Sequence, residues 1–307
     1  MEYRQLKYIL KTAEEKSFSL AAKKLYISQP SLSQLIAKAE EKIGAPLFDR
    51  STTPLQLTYI GEMYVEMARQ ILDIHDQFCQ KAADATRLRR GRLTIGSTPF
   101  RNTYLLSQVI PAFTREYPGI ELILKEDTTR TLEELTAQGL TDFSLSLLPL
   151  RTQIFDYEVL FEEDVLLALP PDHPLSQAKG QPGKICQLPG IDLGLLKDTP
   201  FILMNQGQKL HQTLFDLCQQ AGFKPHILLE TESMHAAQAL AGAGMGAALL
   251  PDTLVRANQL PGKNPCYFQI SGNPRRTVTV IYRKGRYLSA SARAFIDMLR
   301  QFLHPKT

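Results

Sequence analysis

The sequence predicts an α/β protein built in three parts: a helical N-terminal segment, one long connecting helix, and a larger domain of alternating strands and helices. Three observations carry this reading. Residues up to about 60 show helical periodicity with almost no strand signal. From Gly61 to about Arg90 there is no proline and no further glycine. Beyond Gly91, short β-rich runs alternate with helical periods, the pattern of α/β units.

With 307 residues, 44% of them hydrophobic, the chain can bury large cores, and two or three domains are expected. No apolar run approaches the ~20 residues needed to cross a bilayer. Met1 to Lys7 lacks the apolar centre of a secretory signal, so no membrane partner and a cytoplasmic location are expected. Cys79, Cys186, Cys218 and Cys266 are too dispersed to form a Cys-x-x-Cys pair, and neither a metal site nor a cofactor is expected. The net charge of +4 permits nucleic-acid binding, and the basic excess lies in residues 1–60.

The first helix is the amphipathic stretch Tyr3 to Glu15, with Leu6, Ile9, Leu10 and Ala13 on one face. Next, Phe18 to Leu25 reads as a short helix with Ser19 as candidate N-cap, and its small Ala21 and Ala22 allow another helix to approach. Tyr26-Ile27 makes a tight turn, Ser28 caps the following helix, and Pro30 sits in its first turn, where a missing N–H is harmless. Leu32, Leu35, Ile36, Ala39 and Ile43 form one face of that helix, leaving Pro30, Ser31, Ser33, Gln34, Ala37 and Lys38 on the other. Periodicity alone favours a solvated amphipathic helix. A small polar face also suits entry into a DNA major groove, with Gln34 able to contact adenine bidentately and Gln29, Ser31 and Ser33 able to reach bases or phosphates.

The long helix has Thr58 as its candidate cap and Gly91 as its stop. Gly61, Tyr64, Ala68, Ile71, His75, Phe78, Ala82 and Ala85 recur in steps of three and four, the spacing of a coiled-coil seam. Dimerisation through this stripe is one reading, and packing against its own chain is the other. His75 is expected to serve packing.

In the α/β part, Leu93–Ile95, Glu121–Leu124, Phe143–Leu147, Val165–Leu169, Phe201–Met204 and Val278–Tyr282 read as strands. Pro170 to Pro200 reads as loop, and Ser289 to Phe302 as the closing helix. Ligands of such domains bind at strand ends. Ser97-Thr98 and Thr128-Thr129 each follow a strand and precede a helix, as do Asn205-Gln206-Gly207-Gln208 after a later strand. Their hydroxyls, amides and N–H groups can hold a carboxylate at a positive helix terminus, with Arg101 and Arg130 near enough in sequence to add charge. Ordinary helix capping explains each residue singly.

The run from Phe18 through Ile36, continuing as Ala39-Glu40-Glu41-Lys42-Ile43-Gly44-Ala45-Pro46-Leu47-Phe48-Asp49-Arg50 to Leu57-Thr58-Tyr59-Ile60-Gly61, resembles the LysR-type transcriptional regulators. Arg92–Gly96, Gly139–Phe143, Leu169–Leu175 and Ala241–Pro251 look like landmarks of the same family. The resemblance implies a winged helix-turn-helix at 1–60, a dimerising linker helix at 61–90, and at 91–307 a two-lobed effector-binding domain similar to type 2 periplasmic binding proteins. Lobe I would comprise about 91–165 and 266–307, and lobe II about 166–265. It further implies that Leu47 and Phe48 anchor a wing and that Arg50 approaches phosphates. As partners it implies double-stranded promoter DNA, a small carboxylate effector, a homodimer or homotetramer, and RNA polymerase if the protein activates. The chain departs from the family in having Gln34 where an Arg is frequent, and Ser51-Thr52-Thr53-Pro54 where the wing is frequently basic. Each phosphate left without a cationic partner removes about 0.9 from the salt slope of binding.

An enzyme on the same fold is disfavoured, because Gly242, Gly244 and Gly246 follow a helical stretch, the wrong order for a dinucleotide loop, and no P-loop, nucleophile elbow or zinc-protease motif occurs. A solute-binding transport component is disfavoured by the extra N-terminal 90 residues.

Overall fold

The computed structural model describes residues 2–85, 91–179, 188–257 and 263–304. The chain divides into two compact units, with the boundary near residue 88.

The first unit holds α1 (Tyr3–Glu15), α2 (Phe18–Lys24), α3 (Gln29–Ile43), the hairpin strands β1 (Phe48–Asp49) and β2 (Gln56–Leu57), and α4 (Tyr59–Ala85). Leu6, Ile9, Ala21, Ala22, Leu32, Ile36, Leu47 and Phe48 meet in one buried cluster, so the small residues of α2 do admit their neighbours. The cap of α2 is Ser17 rather than Ser19: its hydroxyl accepts from the N–H of Leu20 at 3.4 Å, because the helix begins at Phe18, two residues earlier than a cap at Ser19 implies. Tyr26 turns the chain with a positive φ of 54°, and the N–H of Ile27 donates back to the Ala22 carbonyl at 3.1 Å. Gly44, at φ 80°, ends α3. Ile43, placed on the apolar face by periodicity, is exposed because the last turn of α3 runs past the core.

Thr58 caps α4, its hydroxyl accepting from the N–H of Gly61 at 3.0 Å while donating to the Pro46 carbonyl at 2.7 Å. The seam read from sequence splits. Tyr64 and Ala68 are buried in the unit's own core together with Val65. Gly61 lies so close to the Leu47 carbonyl that an added Cβ would sit 1.9 Å from its oxygen. What faces outward keeps Ile71 and Phe78 of that seam and adds Ile60, Met63, Met67 and Ile74, with Met67 53% and Phe78 69% exposed. His75 rests against Tyr3 of α1, ring centroids 4.7 Å apart. Ala82 is exposed, and the side chain of Ala85 lies outside the described residues.

The second unit opens with β3 (Gly91–Ser97), α5 (Pro99–Arg101), a π-helical turn (Asn102–Leu106), α6 (Ser107–Glu116), β4 (Ile120–Glu126), α7 (Thr129–Ala137) and β5 (Phe143–Leu147). It continues with the 15-residue strand β6 (Phe155–Leu169), α8 (Pro174–Lys179), β7 (Gly190–Ile191), β8 (Pro200–Met204), α9 (Lys209–Gln220), β9 (His226–Thr231), α10 (Met234–Gly242), β10 (Ala247–Pro251) and α11 (Asp252–Ala257). It closes with β11 (Cys266–Ile270), β12 (Arg275–Arg283) and α12 (Ala290–Leu303), the last capped by Ser289. The stretch read as loop from Pro170 to Pro200 thus contains α8 and β7, both too short for periodicity to register.

Two lobes share β6. Its first part, through Asp164, pairs with β12 in the order β4-β3-β5-β12-β6, and its last part, from Val165, pairs with β10 and β11, with β8 and β9 beyond β10. Lobe I packs Phe113, Phe143 and Phe295 against its sheet, and lobe II packs Phe201 and Phe268. The lobe boundary expected at 266 needs correction. Cys266–Gln269 pairs antiparallel with Leu166–Leu169, so β11 belongs to lobe II and the chain returns to lobe I only at about 271–274.

Candidate nucleic-acid interface and interlobe cleft

In the first unit, α3 presents the polar face read from sequence. Ser28 caps the helix, its hydroxyl accepting from the N–H of Ser31 at 3.3 Å and lying 2.7 Å from the Ser31 hydroxyl. Gln29 donates from Nε2 to the Ser33 hydroxyl at 3.0 Å. Four of the polar candidates therefore hold one another in place. Gln34 and Lys38 are exposed and, among the described residues, have no side-chain hydrogen bond of their own, leaving them available to an outside partner. Pro30 is exposed in the first turn.

Arg50, half exposed, is paired within the unit. Its guanidinium donates to Glu40 Oε2 at 2.7 Å and lies 5.5 Å from the Phe18 ring centroid, while Glu40 Oε1 accepts from the N–H of Leu47 at 2.8 Å. Glu40 thereby pins the wing to α3. Glu40 was not singled out from sequence; its pairing spans ten residues and leaves no periodic trace.

In the second unit, one cleft of about 610 Å³ opens between the lobes. Thr98, Arg101, Thr128, Thr129, Asn205 and Gln206 line it, from both lobes as the strand-end argument requires. Three candidates do not. Ser97 is fully buried at the end of β3 with its hydroxyl unpartnered, since strand alternation turns it inward. Gly207 is not on the cleft wall: at φ 92° it stands against Thr128 of the opposite lobe, where an added Cβ would lie 3.3 Å from Thr128 Oγ1. Arg130 points instead to Glu134, Nε to Oε1 3.3 Å.

Arg101 lines the cleft but brings little free charge. It forms a buried bidentate pair with Glu163 of β6, to which Arg276 of β12 and the Thr253 hydroxyl also donate. Burial alone would push the Glu163 carboxyl up; the Arg276 and Arg101 guanidiniums outweigh it and hold the carboxyl at about 2. Burial in turn pulls the Arg276 guanidinium down against the attraction of Glu163.

The caps of four helical segments line the same cleft. The Thr98 hydroxyl accepts from the N–H of Arg101 at 3.3 Å, Thr128 from Thr131 at 3.4 Å, and Ser233 from Ala236 at 3.3 Å, while Gln208 occupies the cap of α9 with no side-chain bond to it. Capping, the ordinary explanation, is thus what these hydroxyls do. A hydroxyl that accepts an N–H retains its own proton to donate. The sequence reading missed Ser233, Glu232, Lys209 and Arg276. The first two follow β9 and precede α10 in the same strand–hydroxyl–helix order as Thr98, a signal that was present; Lys209 and Arg276 left none.

A helix-turn-helix unit followed by a two-lobed cleft domain is the architecture of a bacterial transcription regulator. Residues 3–62 match the model of the bacterial regulatory helix-turn-helix protein, lysR family, and residues 86–304 match the LysR substrate binding domain. The chain belongs to the LysR family of DNA-binding transcriptional regulators. It is 32% identical over 307 residues to the transcriptional dual regulator GltC of Bacillus subtilis (strain 168), covering 98% of this chain and 97% of that one. It is 31% identical to the uncharacterized HTH-type transcriptional regulator YcgK of the same organism, over 99% of this chain and 95% of that one. Among solved structures it is similar to a full-length OxyR variant from Pseudomonas aeruginosa, with TM-score 0.72, 26% identity and 98% of both chains covered. It is also similar to full-length CbnR complexed with its target DNA, with TM-score 0.66, 25% identity, and 98% of this chain and 99% of that one covered. These relatives are regulators, not enzymes, and no described helix is long and apolar enough to cross a membrane.

Proposed function

We propose that this regulator reads double-stranded promoter DNA through Gln34, Lys38 and the Ser28–Ser33 turn of α3, and changes its DNA-bound state when a small carboxylate-bearing metabolite enters the interlobe cleft. The similarity to CbnR in complex with its target DNA supports the first part. The second rests on one observation: Thr98, Thr128, Gln208 and Ser233, each at the N-terminal cap of a helical segment, line one cleft, so several positive helix ends meet where an anion would sit. The outward stripe of α4 supports assembly as a homodimer, or as a homotetramer built from two of them, placing paired readers on successive turns of a duplex. RNA polymerase is the further partner where the protein activates. A ligand acts by binding one state more tightly than the other.

The test is a footprint of the full-length protein on its own promoter region with and without a pool of small carboxylates, repeated with Thr98→Val combined with Thr128→Val. A carboxylate-dependent change in footprint that the double variant abolishes supports the reading. A change that survives it places the effector elsewhere.

A further inference from the structure

The charged lining of the cleft is sorted by sign. Glu126 and Asp127 at the end of β4, and Glu232 just beyond β9 on the other lobe, are exposed on its walls. Asn102 donates its amide to Glu126, the N–H of Thr128 donates to Asp127 at 2.7 Å, and the Asn205 amide donates to Glu232 at 3.4 Å. None of the three takes part in an ion pair among the described residues. Opposite in sign is Arg276, 6% exposed on the cleft lining, whose Nε has no hydrogen-bond partner. Lys209, the other cation on the lining besides Arg101, is already held by the Pro149 carbonyl at 2.6 Å and stands 3.7 Å from Glu133. Glu163 is shared by Arg276 and Arg101, so the buried cluster carries two guanidiniums for one carboxylate. The next carboxylate, Asp252, is bound to Arg256 at 3.0 Å and offsets part of the Arg276 charge from farther off.

A plain carboxylate entering this cleft would find the guanidinium but lie under three unpaired carboxylates; a plain amine would find the carboxylates but face a buried excess of positive charge. Charge of either sign left without a counterpart in such a site is disfavoured. Resting on the reading of this cleft as the effector site, we propose that the effector is zwitterionic: its acid group lies toward Arg276 and Thr98, and its ammonium toward Asp127 and Glu232.

Calorimetric titration of the full-length protein tests this with matched probes: the α-amino acids from alanine to lysine, the straight-chain carboxylates propionate to hexanoate with glutarate and adipate, and the amines propylamine to 1,5-diaminopentane. At least one amino acid is expected to bind on the order of tenfold more tightly than the carboxylate and the amine of its own skeleton. Glu232→Gln and Asp127→Asn should each weaken that amino acid by a similar factor, leave carboxylate binding unchanged or stronger, and keep the melting temperature of the parent. A carboxylate that binds best, and binds better still in Glu232→Gln, overturns the zwitterion while leaving the cleft as the site. An amine that binds best, or no binding by any amino acid, also overturns it. An amino acid whose affinity ignores Glu232→Gln, Asp127→Asn and Thr128→Val together removes the effector from this cleft altogether.

Discussion

The Tyr104 hydroxyl, carried on the π-helical turn of lobe I, is hydrogen-bonded to Nε2 of His235 at the start of α10 in lobe II, and their rings stack with centroids 5.4 Å apart. Burial lowers the His235 pKa and raises that of Tyr104, so a neutral imidazole meets a neutral phenol beside the cleft. Tyr104→Phe is expected to lower stability by about 0.5–1.5 kcal/mol in urea titration. The pH dependence follows from the same pair. Because the folded-state pKa of His235 lies below its unfolded value of 6.5, the unfolded chain takes up the proton first as pH falls. Stability is therefore full above about 6.5, declines below it, and levels out once pH passes the folded value. His173, lowered by burial as well, adds to the decline with the same sign. Unfolding free energies between pH 5 and 8 should show this slope, and His235→Gln should flatten it.

Glu163 holds two arginines and Thr253 at the place where β6 passes from one lobe to the other. Glu163→Gln leaves both guanidiniums buried without a counter-charge, and a loss of about 3–5 kcal/mol is expected in denaturant unfolding. In the parent, the contribution of Glu163 is present above its ordinary value of 4.5 and disappears as pH falls toward about 2. An unaltered midpoint in the variant would count against the cluster as a structural core.

Gln34 projects from α3 with no side-chain partner among the described residues, whereas Gln29 and Ser33 are bonded to each other. Gln34→Ala should relax base preference at one position of each half-site, at a cost of about 1–3 kcal/mol for the preferred base, in selection from randomised DNA. Ser33→Ala should mainly loosen Gln29 and leave that position's preference intact.

Gly61 admits the Leu47 carbonyl where a side chain would stand 1.9 Å from its oxygen. Gly61→Ala must push α4 off the wing strand, and a destabilisation of about 1–3 kcal/mol of the first unit is expected in thermal unfolding.

Met67 and Phe78 lie on the outward stripe of α4. Met67→Lys combined with Phe78→Glu should convert the assembly to monomers in sedimentation velocity, while Tyr64→Ala, buried in the unit's own core, should lower stability by about 3–5 kcal/mol.

The bounds, cap and polar face of α3 were legible because everything they need is local: a serine cap, a proline in the first turn and an apolar face within fifteen residues. The cleft was legible for the same reason wherever a hydroxyl stands between a strand and a helix, as at Thr98 and Thr128. The α4 seam was only partly legible, for a geometric reason. Tyr64 and Ala68 lie one residue along from Met63 and Met67, about 100° around the helix, and both stripes are apolar, so spacing cannot tell which turns inward. Arg101 was recognised as a cation near the cleft, but its partner Glu163 lies 62 residues away, and no local pattern announces a pairing at that range. Ser97 and Thr98 are adjacent, and only the phase of the strand decides which of them faces the cavity.

Since β6 is unbroken from Phe155 to Leu169, the lobes are joined by a ladder-bonded spine instead of a slack loop. A spine of this kind resists sharp bending, because each kink forfeits inter-strand hydrogen bonds. Ligand-driven movement should then be a shallow torsion spread over several residues, eased at the bulge where Val278 faces Phe161 and Thr279 faces Val159, leaving Leu160 as the extra residue. A stiff spine of this kind would carry a small rotation of one lobe to the other, with the bulge at Leu160 as the place where the torsion is taken up.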